Sequence, residues 1–93
     1  MTSKLDLTAD NTALLVIDVQ NDFCPGGQLA VQDGDQVVAP INLMITSATH
    51  IVATQDWHPD GHASFATSYE GRKPFDAIEF SYGMQTLWPD HCV

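Results

Sequence analysis

"TALLVIDV", residues 12–19, decides the fold. It is an apolar, partly β-branched run broken by a single carboxylate, with no alternation between two faces. A strand apolar on both sides belongs inside a parallel sheet covered by helices. Downstream, "NDFCPGGQ" ends the run, and Pro25-Gly26-Gly27 within it is a strong turn signal. Between Asp33 and Thr49 the period changes. Val37, Val38, Ile41, Met44, Ile45 and Ala48 recur as one face of an α-helix. Asp33 or Asp35 is placed to cap it, and Pro40 must sit in its first turn or leave a kink, so the well-formed helix is predicted from about residue 38. "HIVATQD", residues 50–56, reads as a second strand. Strand, helix and strand in this order predict a right-handed βαβ unit. The expected class is α/β, the N-terminal part of a doubly wound, mostly parallel sheet.

The chain has 93 residues, enough for one small domain. We divide it into a polar lead-in (1–11), the strand–helix–strand unit (12–56) and a region without sustained period (57–93). That last region carries Pro59, Pro74 and Pro89, and so long an irregular stretch is usually functional. Three basic against twelve acidic residues give a net charge of −9. Such a surface repels phosphate backbones and anionic bilayers, which argues against nucleic-acid or membrane partners and favours a small ligand or a metal cation. The N-terminus has no apolar core of a signal peptide, and no run is long enough to span a bilayer. Two cysteines, Cys24 and Cys92, with no CxxC spacing, suit a reducing cytoplasm rather than a disulfide framework.

"QDWHPDGH", residues 55–62, concentrates Asp56, His58 and His62 at the C-terminal end of the second strand. In open α/β sheets that edge binds ligands. Residues two apart on an extended chain point the same way, so Asp56 and His58 can converge, and a loop through Gly61 can return His62 to them. Two imidazoles and a carboxylate suit zinc, iron or manganese. A polar loop whose histidines only hydrogen-bond fits the spacing equally well. Asp18 raises a second question, because a carboxylate near the end of a buried strand needs a partner or a task. It either accepts N–H groups from the following loop or serves as a base facing the crevice.

Three motifs then carry a resemblance: "LLVIDVQNDFCPGG", "VATQDWHPDGHASF" and "LWPDHCV". In this order, from about Ala13 to Val93, they resemble the nicotinamidase/pyrazinamidase family of isochorismatase-like cysteine hydrolases, whose fold is a three-layer α/β/α sandwich. The resemblance implies a triad carboxylate at Asp18 and pyridine-ring contacts from Phe23 and Trp88. It implies one divalent metal, zinc foremost with iron or manganese as alternatives, held by Asp56, His58, His62 and His91. The implied activity is hydrolysis of nicotinamide, or pyrazinamide, to the acid and ammonia through a cysteine thioester, in NAD salvage. The family's nucleophilic cysteine and triad lysine lie beyond the WPxHC motif, and neither Cys24, Cys92 nor Lys73 matches their places. The expectation is therefore an N-terminal half, inactive alone, that pairs with a C-terminal half or with copies of itself. Two alternatives remain: a catalytically inactive metal- or ligand-binding fragment, and a related hydrolase of another small amide. Apolar faces on "LLVIDV" and "IVAT" should be left bare, making the stretch unstable or aggregation-prone alone.

Overall fold

A computed structural model describes residues 5–93. The first four residues of the polar lead-in lie outside the described residues. The remainder docks on the turn before the second strand, where Thr49 donates its N–H to Leu7 O (3.0 Å) and its hydroxyl to Thr8 O (2.8 Å).

Strand β1 (Ala13–Ile17) and strand β2 (His50–Thr54) pair in parallel, from Ala13 opposite His50 to Ile17 opposite Thr54. Helix α1 (Val38–Ile45) connects them, and it is too short to cross a membrane. Alternation along β1 is strict: Leu14 and Val16 are half-buried, whereas Leu15 and Ile17 are 59% and 64% exposed. The helix turns Ile41 and Met44 inward, and Ala48, past its end, is also half-buried, whereas Val37, Val38 and Ile45 of the predicted face are exposed. Only one side of β1 is therefore partly covered, and every residue of β2 is exposed. The bare faces expected from the sequence are present.

Three local expectations need correction. Both strands stop short of the predicted limits. Asp18 does not lie within β1 but just past it, at φ 54°, because an aspartate tolerates the left-handed region and turns the chain away. Neither Asp33 nor Asp35 caps α1. A 3-10 turn at Gly34–Val37 precedes the helix, and Asp33, itself at φ 58°, makes no side-chain cap bond. Pro40 does fall in the first helical turn, where its missing N–H costs nothing.

The third correction concerns residues 57–93, which are more ordered than their sequence suggests. Strands β3 (Ala77–Phe80) and β4 (Gly83–Thr86) form an antiparallel hairpin closed by Ser81-Tyr82. A parallel bridge joins Phe65 to Trp88, through Ala66 N–H to Trp88 O (2.9 Å) and Trp88 N–H to Ser64 O (2.8 Å). The short hairpin was hidden because four-residue strands give too few alternations to define a period.

The core also sits here rather than on the parallel pair. Among the described residues, Phe65, Ala66, Leu87 and Cys92 are the buried apolar ones. Elsewhere the chain is open. Its radius of gyration is 17.9 Å, against roughly 12–13 Å for a compact domain of this length. It exposes 6953 Å², against about 5,300 Å² for a compact monomer of 10.2 kDa.

Candidate metal and substrate site

The C-terminal end of the parallel pair carries the polar cluster. Beyond Thr54, β2 continues as extended chain, and Asp56 and His58 project to one side as the two-residue spacing requires. Asp56 Oδ1 lies 3.4 Å from His58 Nδ1, and Asp56 Oδ2 lies 3.1 Å from His91 Nε2. One ligand atom from each of Asp56, His58 and His91 falls within 4.8 Å of the others. His91, only 6% exposed, comes from the far end of the chain. Its return is held by His58 N–H donating to Cys92 O at 2.8 Å.

The trio fits a divalent cation, on the chemistry of its donors. His91 Nδ1 sits 2.8 Å from Pro89 O, and a carbonyl can only accept, so that nitrogen carries the proton. In the neutral ring Nε2 then presents a lone pair to the Asp56 carboxylate. Two acceptors facing each other require a cation or a proton between them. His58 Nδ1 is buried without any hydrogen-bond partner, an orphan that a metal would satisfy. His62 stands beside the trio rather than in it. Its ring lies 4.8 Å from that of His58, and its Nδ1 is engaged by the Ser64 hydroxyl (2.8 Å) and N–H (3.1 Å). The turn through Gly61, at φ 71°, brings it there as expected.

Phe65 organises the imidazoles. Fully buried, its ring contacts those of His58, His62 and His91 at centroid distances of 5.1, 5.7 and 5.5 Å. The sequence reading passed over it, although a large aromatic within a turn-rich polar loop was the available signal.

Phe23, Trp88, Asp56, His58, His62 and His91 all line one cavity of about 440 Å³, within the range of small-molecule pockets. Trp88 is steadied edge-on by Phe75 at 5.8 Å. Asp18 lies elsewhere. It lines a neighbouring cavity of about 220 Å³, with Phe23 as the wall between the two. Its Oδ1 accepts the Thr54 hydroxyl (2.9 Å), and its N–H reaches Thr54 Oγ1 (3.2 Å) and O (3.3 Å). The partner of this strand-end carboxylate is thus a threonine on the adjacent strand. It does not accept N–H groups from the following loop.

The turn after β1 ties the site together, which its sequence did not disclose. Asp22 accepts Cys92 N–H at 2.6 Å and helps hold Cys92 at φ 53°. Gln20 bonds both backbone groups of Asp56. Gly27 lets this turn close, since a Cβ there would lie 2.4 Å from the Asn21 and Asp22 carbonyl oxygens. Cys92 is no poised nucleophile. Burial, then the carboxylates of Asp56 and Asp22, push its thiol pKa up, with an opposing hydrogen bond from Gln20 and a lesser push from Asp18. Cys24, half-buried in the turn, is likewise a free thiol.

Comparison with known proteins shows the family. The isochorismatase domain profile matches residues 12–83. The nicotinamidase of Acinetobacter baylyi is 55% identical over 85 residues, covering 91% of this chain and 40% of that protein. The Escherichia coli nicotinamidase is 46% identical over 85 residues, covering 87% and 39%. A solved nicotinamidase/pyrazinamidase from Acinetobacter baumanii superposes with a TM-score of 0.79 at 52% identity, covering 90% of this chain and 41% of that one. The chain thus spans about two fifths of the length of the curated relatives it matches. Its parallel pair with connecting helix is an N-terminal part of their α/β fold, and the chain belongs to the isochorismatase-domain family.

Proposed function

We propose that this chain is the N-terminal, metal-binding part of an amidohydrolase that converts nicotinamide, and pyrazinamide, to the corresponding acid and ammonia. The observation that carries the reading is the convergence of Asp56, His58 and His91 on the wall of a cavity also lined by Phe23 and Trp88. A flat, neutral aromatic amide suits two aromatic walls. Asp56, His58 and His91, with His62 at their side, would hold one divalent ion, zinc before iron or manganese. When bound, the ion supplies Lewis acidity and a fixed point for orienting a ring nitrogen.

This chain's own residues position and exclude. Phe23 and Trp88 would grip the ring and keep water from its faces. Asp18 would take a proton from an attacking thiol and return one to the departing nitrogen, with the Thr54 hydroxyl holding its carboxylate in place. Proton transfer needs the thiol within hydrogen-bond reach of Asp18, so the reading has the thiol enter beside Phe23, the residue the two cavities share. Cys92 is buried, hydrogen-bonded and raised in pKa, which disfavours it as that thiol. The proposal assigns the thiol and a triad lysine to the part of its relatives' length that this chain does not span. The thiol sulfur would bond the amide carbon as the C–N bond breaks and ammonia leaves. Water would then add to the thioester carbon, and cleavage of the C–S bond would release the acid, a precursor for pyridine nucleotide salvage, and free the thiol. Two free cysteines suit a reducing, cytoplasmic setting.

Ammonia release from nicotinamide by the full-length protein tests the reading, with metal analysis before and after chelation. We expect one divalent ion per chain, and activity lost on chelation and restored by metal. Asp18→Asn should lower kcat about 10²- to 10⁴-fold while leaving metal content unchanged. No ammonia above blank from the metal-loaded protein would defeat the substrate assignment. A protein that binds metal without turning over any small amide would be an inactive binding module instead.

A further inference from the structure

The main-chain ladder between β1 and β2 runs out before it reaches the site. Ile17 opposite Thr54 is its last register pair, and the Asp18 N–H makes the final bond, to Thr54 O. At φ 54°, Asp18 then turns the first strand away. Asp56, two residues past Thr54, is left with a backbone N–H and C=O that meet no main-chain partner among the described residues. Gln20 takes the missing partner's place. Its Nε2 donates to Asp56 O at 2.9 Å, and its Oε1 accepts from Asp56 N–H at 2.8 Å. A primary amide is the side chain that can mimic a peptide in both directions at once, since a carboxylate cannot donate and a thioether cannot donate and accepts only weakly. A second Nε2 contact reaches Cys92 Sγ at 3.3 Å, in the residue next to His91. One side chain therefore links the segments carrying two members of the trio, yet Gln20 supplies none of its ligand atoms and does not line its cavity.

We propose that Gln20 is a positioning residue for the metal ligand Asp56: its amide stands in for a sheet partner and fixes the backbone that aims the carboxylate. This rests on the metal reading above. Groups that orient metal ligands typically change affinity by about 10- to 100-fold when removed. A Gln20→Met change keeps the length and bulk of the side chain while deleting both bonds to Asp56.

The experiment uses the full-length protein, with zinc as the probe in competition against a chromophoric chelator. Asp56→Ala serves as the loss-of-site control, and far-UV circular dichroism as the check on folding. Amide hydrogen exchange of the metal-free parent protein is read in parallel at Asp56. We expect zinc binding by the parent and its loss in Asp56→Ala. Gln20→Met should bind about 10- to 100-fold more weakly with unchanged dichroism. The Asp56 amide should be protected in the parent and exchange faster in Gln20→Met, while the Val52 amide, within the ladder, stays as it was. Unchanged zinc affinity in a folded Gln20→Met overturns the inference. Should that variant not fold, an Asp56 amide in the parent that exchanges as fast as an open loop overturns it, and a protected one supports it. A parent that binds no zinc overturns the metal reading, and the inference falls with it.

Discussion

The strand–helix–strand unit and the loop region after it invert the usual roles of regular and irregular structure. The regular part, residues 13–54, contains the most apolar run of the chain, yet Leu15, Ile17, Ile51 and Val52 stand open to solvent. The irregular part contains Pro59, Gly61, Pro74 and Pro89, yet it holds Phe65 and Leu87 fully buried and His91 nearly so. Regular secondary structure and a packed core are separate achievements. A parallel pair satisfies its own backbone but needs further layers to cover both faces. A loop crossing itself through the Phe65–Trp88 bridge can enclose a small core with its own side chains.

The strongest way to break this contrast is to empty the loop's core. In the full-length protein, Phe65→Ala should cost about 3–5 kcal/mol in a urea titration, as for other buried phenylalanines. Because the ring touches three imidazoles, zinc affinity should fall as well. A cost below about 1 kcal/mol would show that the loop region is not the organising core.

The bare face of the strands gives the next test. The 93-residue chain by itself should self-associate at micromolar concentration in sedimentation velocity. Replacing Leu15 and Val52 by lysine should shift it toward monomer, since both are half or more exposed. Monomeric behaviour of the unsubstituted chain with one cooperative thermal transition would contradict the picture of an uncovered sheet.

The smallest effect sharpens the junction between the regions, where Cys92 meets Gln20 and Asp22. Its thiol pKa is raised in the fold, chiefly by burial and then by nearby carboxylates. The folded chain therefore holds the thiol proton more tightly than the unfolded chain does. That contribution to stability is complete below the unfolded thiol's pKa of about 8.5 and is lost as pH rises from there through the folded value. Unfolding of the metal-free, full-length protein at pH 7 and pH 10 measures it. Cys92→Ser should reduce the drop over this alkaline interval, and an identical drop would remove Cys92 as its source.

How much was legible follows from the range of each signal. The apolar run of β1, the presence of a helix from about residue 38, and the turn at Pro25-Gly26-Gly27 are set by neighbours within a few residues, so they could be read directly. The pairing of Asp56 with His58 was legible for the same reason: two positions along an extended chain share a side. The arrival of His91 was available only through likeness to a family, because 35 residues separate it from Asp56. The roles of Gln20, Asp22 and Thr54 could not be read from the sequence, and for Phe65 the one signal was a large aromatic within a turn-rich polar loop. Each acts on a partner whose position depends on how distant segments cross.

Sequence alone thus determined the local periods, the turns, the acidic surface and the ligand types available to a cation. Tertiary structure decided which of those ligands meet, leaving His62 beside the trio and Asp18 behind the Phe23 wall. It also placed the buried core in the loop region instead of on the strands. The physical reason is directional. Backbone propensity and side-chain alternation act along the chain, whereas metal-ligand geometry, burial and the replacement of a lost strand partner by an amide act between segments distant in sequence.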